Sequence, residues 1–433
     1  MDSIKSLNYF WYNLFLTVTG LFLVPFFVAR NLWWRRPVLA YFRGLSRESA
    51  AGLLGKPVIW IHAVSVGETV AADCIIKRIM ASVPEYVLVF TTTTPTGREM
   101  AEKLFGGQAT IVYFPFDFPW MMKRFMTRVN PRLFIMVEKE IWPNAIRYAR
   151  RAGAKVAIVN GQVSERSFRW YQKFGFFTKE VLAQIDQLAM QTAEDANRIG
   201  KLGAPLHRIA VTGNIKFDQD YPVFSTEQIN DFRQRYGWDR SIPIVAAAST
   251  HRGEEESVIE AFQRLTRDNP YYLIIAPRHT NRAEEVGMLL KRFNIRFNLR
   301  SGSNTDGDDA QVLLVDTMGE LGLVYAVADY VFVGGSLTNV GGHNVMEAAA
   351  QAKPVIYGPY MQNQLQSRLM LEAASAGYTV HNSTELTQRI QSFRSDPDEY
   401  RKLAVQAKRV VFDNQGAAGK TAQLIIDLMR NDQ

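Results

Sequence analysis

The chain has 433 residues, too many for one ordinary core, so two domains of roughly 200 residues each are expected. With 47% hydrophobic and 21% charged residues it is neither disordered nor fibrous, and its single cysteine, Cys74, excludes an intrachain disulfide framework and any cysteine-built zinc or iron-sulfur site. A formal charge of +8 favours anionic partners such as nucleic acid, acidic lipid headgroups or phosphorylated substrates, without choosing among them.

No charged residue occurs between Ser6 and Ala29, and the stretch is aromatic and aliphatic almost throughout. As a helix it would run about 35 Å, against a bilayer core of ~30 Å. A cleavable signal usually has a shorter apolar region and a small-x-small cleavage site, whereas this segment passes straight into Arg30, Trp33, Trp34, Arg35 and Arg36. Arg43 and Arg47 add positive charge beyond it, against only Lys5 before it. Tryptophans suited to headgroup level and basic residues on one flank predict a membrane anchor over residues 1–36, spanning or interfacial, with the main body on the cytoplasmic side.

After about residue 50, short β-rich apolar runs alternate with longer helical patterns, the mark of parallel sheets with helical crossovers. Strands are predicted at Val58–Ile61, Val87–Thr91, Ile111–Tyr113, Phe134–Val137, Val156–Asn160, Leu188–Gln191 and Ile209–Thr212. A second set is predicted at Ile244–Ala248, Tyr272–Ala276, Val312–Val315, Tyr330–Val333, Val355–Tyr357 and Tyr378–Val380. The polar, proline-marked run Asp218–Pro222 puts the boundary near residue 220, giving α/β domains over 37–220 and 221–433. Neither Gly-x-Gly-x-x-Gly nor Gly-x4-Gly-Lys-Ser/Thr opens either half, which weighs against a dinucleotide oxidoreductase or a P-loop NTPase and suits a two-domain glycosyltransferase. Ser301–Asp309 reads as a solvated loop without function.

Ligands of open α/β sheets sit beyond the carboxyl ends of the strands, so residues just after strands carry the functional expectation. Gly67 permits a tight turn that would leave Glu68 at a helix start, as a general base or as a first-turn carboxylate complementing the helix dipole. Glu138 continues a strand line, while Glu140, two residues on, reads as the one of the pair more open to being an ordinary surface charge. Lys216 follows a strand and a glycine and suits a leaving phosphate, although a solvated lysine fits the same pattern. In the second half Arg278 comes directly off a strand, and Met318 and Gly319 offer close backbone approach. Gly334 to Ala350 reads as strand, glycine-rich loop and helix start. Four glycines in nine residues look hard to explain by packing, so free N–H groups for a phosphate are expected there, with Glu347 for ribose hydroxyls. The six histidines show no metal-ligand spacing, and no metal is expected. Ser164–Phe177 interleaves Arg166, Arg169 and Lys173 with aromatics, which fits single-stranded nucleic acid, a membrane surface or packing on its own domain; the apolar N-terminal segment favours the membrane over nucleic acid.

Taken together, His62–Glu68, Thr93–Gly97, Glu138–Asn144, Val211–Asp218, Pro277–His279, Asp316–Leu321 and Gly334–Asn344 closely resemble the 3-deoxy-D-manno-octulosonic acid (Kdo) transferases of Gram-negative lipopolysaccharide synthesis, along essentially the whole chain. The resemblance implies a GT-B type glycosyltransferase, two Rossmann-like domains flanking a cleft, moving Kdo from CMP-Kdo to a tetraacylated lipid A precursor at the inner membrane with inversion. By that resemblance Glu68 matches the proton acceptor, and Glu138 and Lys216 match the groups that stabilise the transition state. Pro277 and Arg278, then Met318, Gly319 and Glu320, then Asn344, Val345, Met346 and Glu347 match the segments that hold CMP. The implied partners are the donor, the lipid acceptor and anionic inner-membrane lipids, without nucleic acid, metal or cofactor. Two positions depart from the family pattern: Gln162 stands where many members carry arginine, and Lys139 separates Glu138 from Glu140 where threonine is common. Against this reading stand a GT-B transferase using another nucleotide sugar, and a membrane-tethered nucleotide-binding protein without catalysis.

Overall fold

The computed structural model describes residues 2–33, 45–218, 221–302 and 310–430; the side chains of 2–7, 26, 27, 30–33 and 47 fall outside that description. The expected basic flank at Trp34, Arg35, Arg36 and Arg43, and most of the Ser301–Asp309 loop, therefore lie outside the described residues, as do the side chains of Arg30, Trp33 and Arg47. The chain forms two compact units, Met1–Gln219 with Gln415–Gln433, and Asp220–Asn414.

In the first unit β1 (Val58–His62), β2 (Val87–Thr92), β3 (Ala109–Tyr113), β4 (Leu133–Val137), β5 (Lys155–Gly161), β6 (Gln187–Met190) and β7 (Ile209–Val211) form one sheet in the order β3-β2-β1-β4-β5-β6-β7, every neighbouring pair parallel. Helices cover both faces, so β1 and β4 are apolar and buried at every position apart from the buried His62. Trp60, Phe134 and Met136 join one core and Ile59, Ile61, Ile135 and Val137 the other. Trp60 stacks on Phe134 at 3.7 Å between ring centroids, and its indole N–H donates to Thr91 Oγ1 at 2.9 Å, so its polar atom is satisfied inside the core.

The second unit holds β8 (Ile244–Thr250), β9 (Tyr272–Pro277), β10 (Phe297–Leu299), β11 (Val312–Leu314), β12 (Tyr330–Val333), β13 (Val355–Tyr357) and β14 (Gly377–Thr379), again all parallel, in the order β10-β11-β9-β8-β12-β13-β14. Parallel pairing brings the C-terminal ends of a sheet's strands to one edge. β10 was not expected: three residues between Arg296 and Arg300, at the sheet's margin, give too short an apolar run to read from the sequence.

The helix Ala417–Arg430 corrects the expected second domain. It packs on the first unit, where Ala417, Ala418, Ala422 and Ile425 share a core with Ile75 and Ile79 of the helix Val66–Ser82. The Asp218 carboxylate fixes its start by accepting from the backbone N–H groups of Gly416, at 2.6 Å, and Ala418.

The first helix, Asp2–Trp33, is bound along one side by polar contacts: Asn8 donates to Glu180 at 2.7 Å, Tyr12 to Asp117 at 2.8 Å, and Asn144 to Asn13 at 2.7 Å. Tyr9 is buried against Phe177. Phe10, Trp11, Leu14, Phe15, Val18, Leu21 and Phe22 are exposed at helical spacing on another side. Among the described residues no helix is long and apolar enough to cross a membrane. In the aromatic–basic run Phe168, Tyr171 and Phe177 pack against the first unit's core, as the packing reading expects, while Trp170, Phe174 and Phe176 are exposed.

Truncating Ile425 to alanine leaves a cavity in the first unit alone, at a cost of about 2–5 kcal/mol. Native-state hydrogen exchange should show β4 and β5 amides losing protection by that amount and β8 and β9 amides unchanged.

Candidate active site

The first unit gathers three carboxylates and one ammonium group at the C-terminal ends of β1 and β4. After β1 the chain turns through Ala63, Val64 and Ser65, and the Ser65 hydroxyl caps the helix Val66–Ser82 by accepting from Glu68 N–H. Glu68 reaches back so that Oε2 accepts from Val64 N–H. The Val64 carbonyl in turn accepts from the hydroxyls of Thr92 at 3.0 Å, Thr93 at 3.4 Å and Thr94 at 3.0 Å. The threonine run thus fixes Val64, the residue whose N–H holds Glu68. Gly97 is required beside it, since a Cβ there would lie 2.6 Å from Thr92 Oγ1. The expected role of Gly67 falls away: it lies inside the helix with open space around its Cβ position, and serine capping makes the turn. Burial raises the Glu68 carboxyl above its ordinary value; Glu138 adds to this, while the Val64 and Ser65 N–H groups and Lys216 oppose it.

Glu138 follows β4 with φ +65°, a left-handed backbone that ends the strand's alternation. Its Oε1 lies 2.6 Å from Lys216 Nζ; the carboxylate is 8% exposed and the lysine 44%. Asn160, at the end of β5, ties the two segments together. Its backbone is also left-handed, at φ +53°, and its fully buried side chain donates to Glu138 Oε1 at 3.4 Å and accepts from Ile215 N–H at 3.1 Å. Ile215 opens the 3-10 turn Ile215–Phe217, in which Asn214 Oδ1 accepts from Lys216 N–H at 3.0 Å. Asn160 was not singled out in the sequence, where only its place at a strand end marks it.

Glu140 is not an ordinary surface charge. Because Glu138 leaves the strand, Glu140 comes back to the cluster half-buried, and burial with the Glu68 charge pushes its carboxyl up to about 7. Gln162 lines a small cavity beside Glu138 with Ile141, Gly161, Ser167 and Tyr171, so the departure from the family pattern falls at the cluster's edge. His62 is fully buried, stacked on Phe114 with centroids 3.9 Å apart, and burial lowers it to about 3, leaving a neutral ring.

In the second unit Arg278 is exposed directly after β9, its N–H bonded to Thr250 O at 3.0 Å. The glycine-rich loop differs from expectation. Glu254, with no exposure, accepts from the N–H groups of Gly335 at 2.7 Å, Ser336 at 2.8 Å and Leu337 at 2.7 Å, and from His251 N–H at 2.9 Å. Those donors are taken by a carboxylate of the chain itself and are not open to a phosphate. Packing also explains the glycines: an added Cβ would lie 2.7 Å from Ser249 O at Gly334, 2.7 Å from the His343 ring at Gly335, 2.1 Å from Asn363 at Gly341 and 2.4 Å from Met361 at Gly342.

Asn344 accepts from Met346 N–H, the first of the short helix Met346–Ala350, at 3.0 Å and donates to Glu347 at 3.1 Å, which orients Glu347. Burial raises the Glu347 carboxyl, opposed by the Asn344 bond and the Arg278 charge. Val345 and Met346 are buried whole, the Met346 N–H is taken by Asn344, and the Val345 carbonyl accepts from Ala349 N–H at 3.2 Å. Met318 is exposed and Gly319 takes φ +85° in the loop after β11. Glu320 is held by Arg300, 2.6 Å from its Nη2, and by the Thr317 hydroxyl; its carboxylate builds that loop. Arg300, unremarked in the sequence, is therefore part of the site's frame. Pro277 closes β9.

Two all-parallel seven-stranded α/β sheets, each with polar clusters at its strand ends, give a GT-B-like architecture. The family model described as 3-Deoxy-D-manno-octulosonic-acid transferase (kdotransferase) matches residues 38–219. The chain is 34% identical over 374 residues to a 3-deoxy-D-manno-octulosonic acid transferase of Haemophilus influenzae, covering 86% of each. It is 33% identical over 398 residues to one of Bordetella pertussis, covering 89% of this chain and 90% of that one. The solved structure of a glycosyltransferase from Rickettsia africae matches with a TM-score of 0.54 over 88% of this chain and 100% of that one; at 13% identity the likeness is one of fold. The chain belongs to the 3-deoxy-D-manno-octulosonic acid (Kdo) transferase family, whose members are glycosyltransferases.

Glu140 gives a pH test of the first cluster. Its carboxyl stands at about 7 in the folded chain against 4.5 for the free group, so below pH 4.5 both states are protonated and above pH 7 the folded state alone bears the cost of a buried charge. Wild type should lose stability relative to Glu140→Gln as pH rises between those values, by on the order of 1–3 kcal/mol, with a constant gap above. Urea midpoints of the first unit measured across that range check the sign.

Proposed function

We propose that this chain transfers Kdo from CMP-Kdo to a tetraacylated lipid A precursor in lipopolysaccharide synthesis, in one inverting displacement. The observation that carries this reading is the joint presence of Glu68, Glu138 and Lys216 in one cluster within a member of the Kdo transferase family. Glu68 is the base: burial raises its affinity for a proton, and the Val64 N–H holds one of its oxygens fast. It takes the proton of the acceptor's 6'-hydroxyl as that oxygen forms the new bond to the anomeric carbon. The Glu138–Lys216 pair stabilises the charge that develops in the transition state. In the second unit Pro277, Arg278, Met318, Gly319, Glu320, Asn344, Val345, Met346 and Glu347 make up the segments that hold the CMP moiety, with Asn344 orienting the Glu347 carboxylate and buried Val345 and Met346 fixing their segment. No cofactor and no resident metal enters this scheme.

The acceptor is a lipid, and the first helix is the element suited to reach it. Its Asn8, Tyr12 and Asn13 are engaged with the unit, which leaves the exposed stripe from Phe10 to Phe22 as an apolar face for the interfacial layer of an inner membrane, the catalytic units on the cytoplasmic side. Exposed Trp170, Phe174 and Phe176, beside Arg166, Arg169 and Lys173, suit the same boundary with anionic lipid headgroups.

Incubating the detergent-solubilised protein with lipid A precursor and CMP-Kdo generated in situ should add mass in whole Kdo units to the lipid. Glu68→Gln should lower turnover by about 10²–10⁴-fold and leave CMP-Kdo binding in place; turnover like the wild type's removes Glu68 as the base. Replacing Trp11, Phe15 and Phe22 together by serine should lower co-flotation with anionic phospholipid vesicles by at least about tenfold, since each exposed aromatic loses on the order of 1.5–3 kcal/mol of burial. Equal flotation of the two proteins would remove the first helix as the membrane contact.

A further inference from the structure

Three imidazoles far apart in the sequence meet at the C-terminal end of the second unit's sheet. Nε2 of His251 lies 2.8 Å from Nε2 of His343, with the ring planes 9° apart. His279 stands edge-on to His251, the centroids 5.9 Å apart. Gly335 makes room for the pair, since a Cβ there would lie 2.7 Å from His343 Cδ2.

A nitrogen–nitrogen contact of 2.8 Å holds only when one proton lies between the two atoms, so the rings are not independent. In the neutral pair one Nε2–H donates to the other Nε2. The donating ring then has a bare Nδ1 and the accepting ring an Nδ1–H. One more proton, added at the bare Nδ1, converts the pair into two N–H donors sharing a single positive charge. That is the complement of two oxygens of an anion. Among the described residues neither Nδ1 has a hydrogen-bond partner.

The surroundings keep that second proton off while the site is empty. Arg278, His279 and Arg282 face the pair from the end of β9, and Glu254 faces it from the loop after β8. Glu254 already accepts four backbone N–H groups, Arg282 is paired with Glu255 at 2.7 Å and Glu285 at 3.3 Å, and Glu347 lies near Arg278. Arg278 itself makes no ion pair among the described residues. Burial, His251, Arg278 and His279 push His343 down to about 4, and burial lowers His251. A doubly charged anion arriving beside these cations reverses the balance.

We propose that His251 and His343 form one proton-sharing grip for the phosphate of the nucleotide, taking up a proton from solvent when a phosphate dianion occupies it. The inference rests on the nucleotide-sugar reading above and assigns its phosphate to these two rings. In the transfer, the bond between the anomeric carbon and the phosphate oxygen breaks with its electron pair going to that oxygen. The nucleotide thereby passes from a singly charged diester to a doubly charged monoester, while the acceptor hydroxyl's proton goes to Glu68. The second negative charge arises at the group the pair is arranged to meet.

Titration calorimetry of CMP into the full chain at pH 7.5, in buffers of different ionisation enthalpy, counts the protons taken up without any variant. Wild type should take up between half and one proton per CMP, and its affinity should weaken by up to tenfold per pH unit as pH rises from 6.5 to 8.5. His343→Gln and His251→Gln should each bind CMP at least tenfold more weakly with the uptake gone, while cytidine, which lacks the phosphate, should bind all three proteins alike. CMP binding without proton uptake by the wild type, or unchanged CMP affinity in both variants, overturns the grip and leaves the donor assignment standing. Uptake seen with UMP and no binding of CMP would support the grip and overturn the donor assignment.

Discussion

Glu254 has no contact with solvent, and both oxygens of its carboxylate are occupied by backbone N–H groups of the loops that follow β8 and β12. A buried carboxylate without partners would cost several kcal/mol, and four donors offset that cost only while both loops hold their shape. The loops therefore cannot shift independently. His251 belongs to one of them, and Gly335 of the other sets where the His343 ring rests. Removing the carboxylate would orphan N–H groups worth about 1–3 kcal/mol each, so the whole strand-end surface of the second unit depends on this one side chain.

The first unit holds its cluster with neutral side chains as well as with the buried Glu138 carboxylate. Three threonine hydroxyls converge on the Val64 carbonyl, and its N–H holds Glu68. Asn160 does for Glu138 and the Lys216 turn what Glu254 does for the glycine-rich loop: one buried polar side chain answers groups on two separate segments. Glu138 and Asn160 both take left-handed backbone, at a cost of about 1–2 kcal/mol each, and both flank the ion pair. Strain of that kind persists where neighbouring bonds leave no alternative conformation, and here the neighbours are the site itself.

The sheets were legible because parallel strands covered on both faces are continuous apolar runs, and β1, β4, β8 and β12 could be placed within a few residues on that signal alone. β10 was not, since three residues bounded by arginines carry almost no periodicity. Glu68, Glu138 and Lys216 were legible as polar residues that interrupt apolar runs at strand ends. Glu140 was misjudged because alternation was carried past the point where Glu138 turns left-handed, a backbone fact with no residue-type signature when the residue is not glycine. The glycine-rich loop misled in the opposite direction. Its composition signals close backbone approach, and the sequence cannot say whether what approaches is a phosphate or, as here, Glu254 from about 80 residues earlier in the chain. The His251–His343 contact was invisible for the same reason, as it joins residues that only the strand order brings together.

Each unit gathers like charges at its strand ends, where burial disfavours the charged form of several groups. Two unit charges about 5 Å apart repel by roughly 3 kcal/mol at an effective dielectric of 20, enough to shift a proton by about two pH units. Burial first and neighbouring carboxylates second raise Glu68 and Glu140, while burial first and neighbouring cations second lower His251 and His343, with Lys216 opposing the shift at Glu68 and Glu254 opposing it at His251. Under the roles proposed above, Glu68 is thereby made more basic where a hydroxyl proton is taken, and the imidazoles are left able to gain a proton where negative charge is received. Burial sets the direction of each shift and nearby charge adjusts its size, and under those proposed roles both directions favour transfer of an anionic sugar from a nucleotide to a hydroxyl.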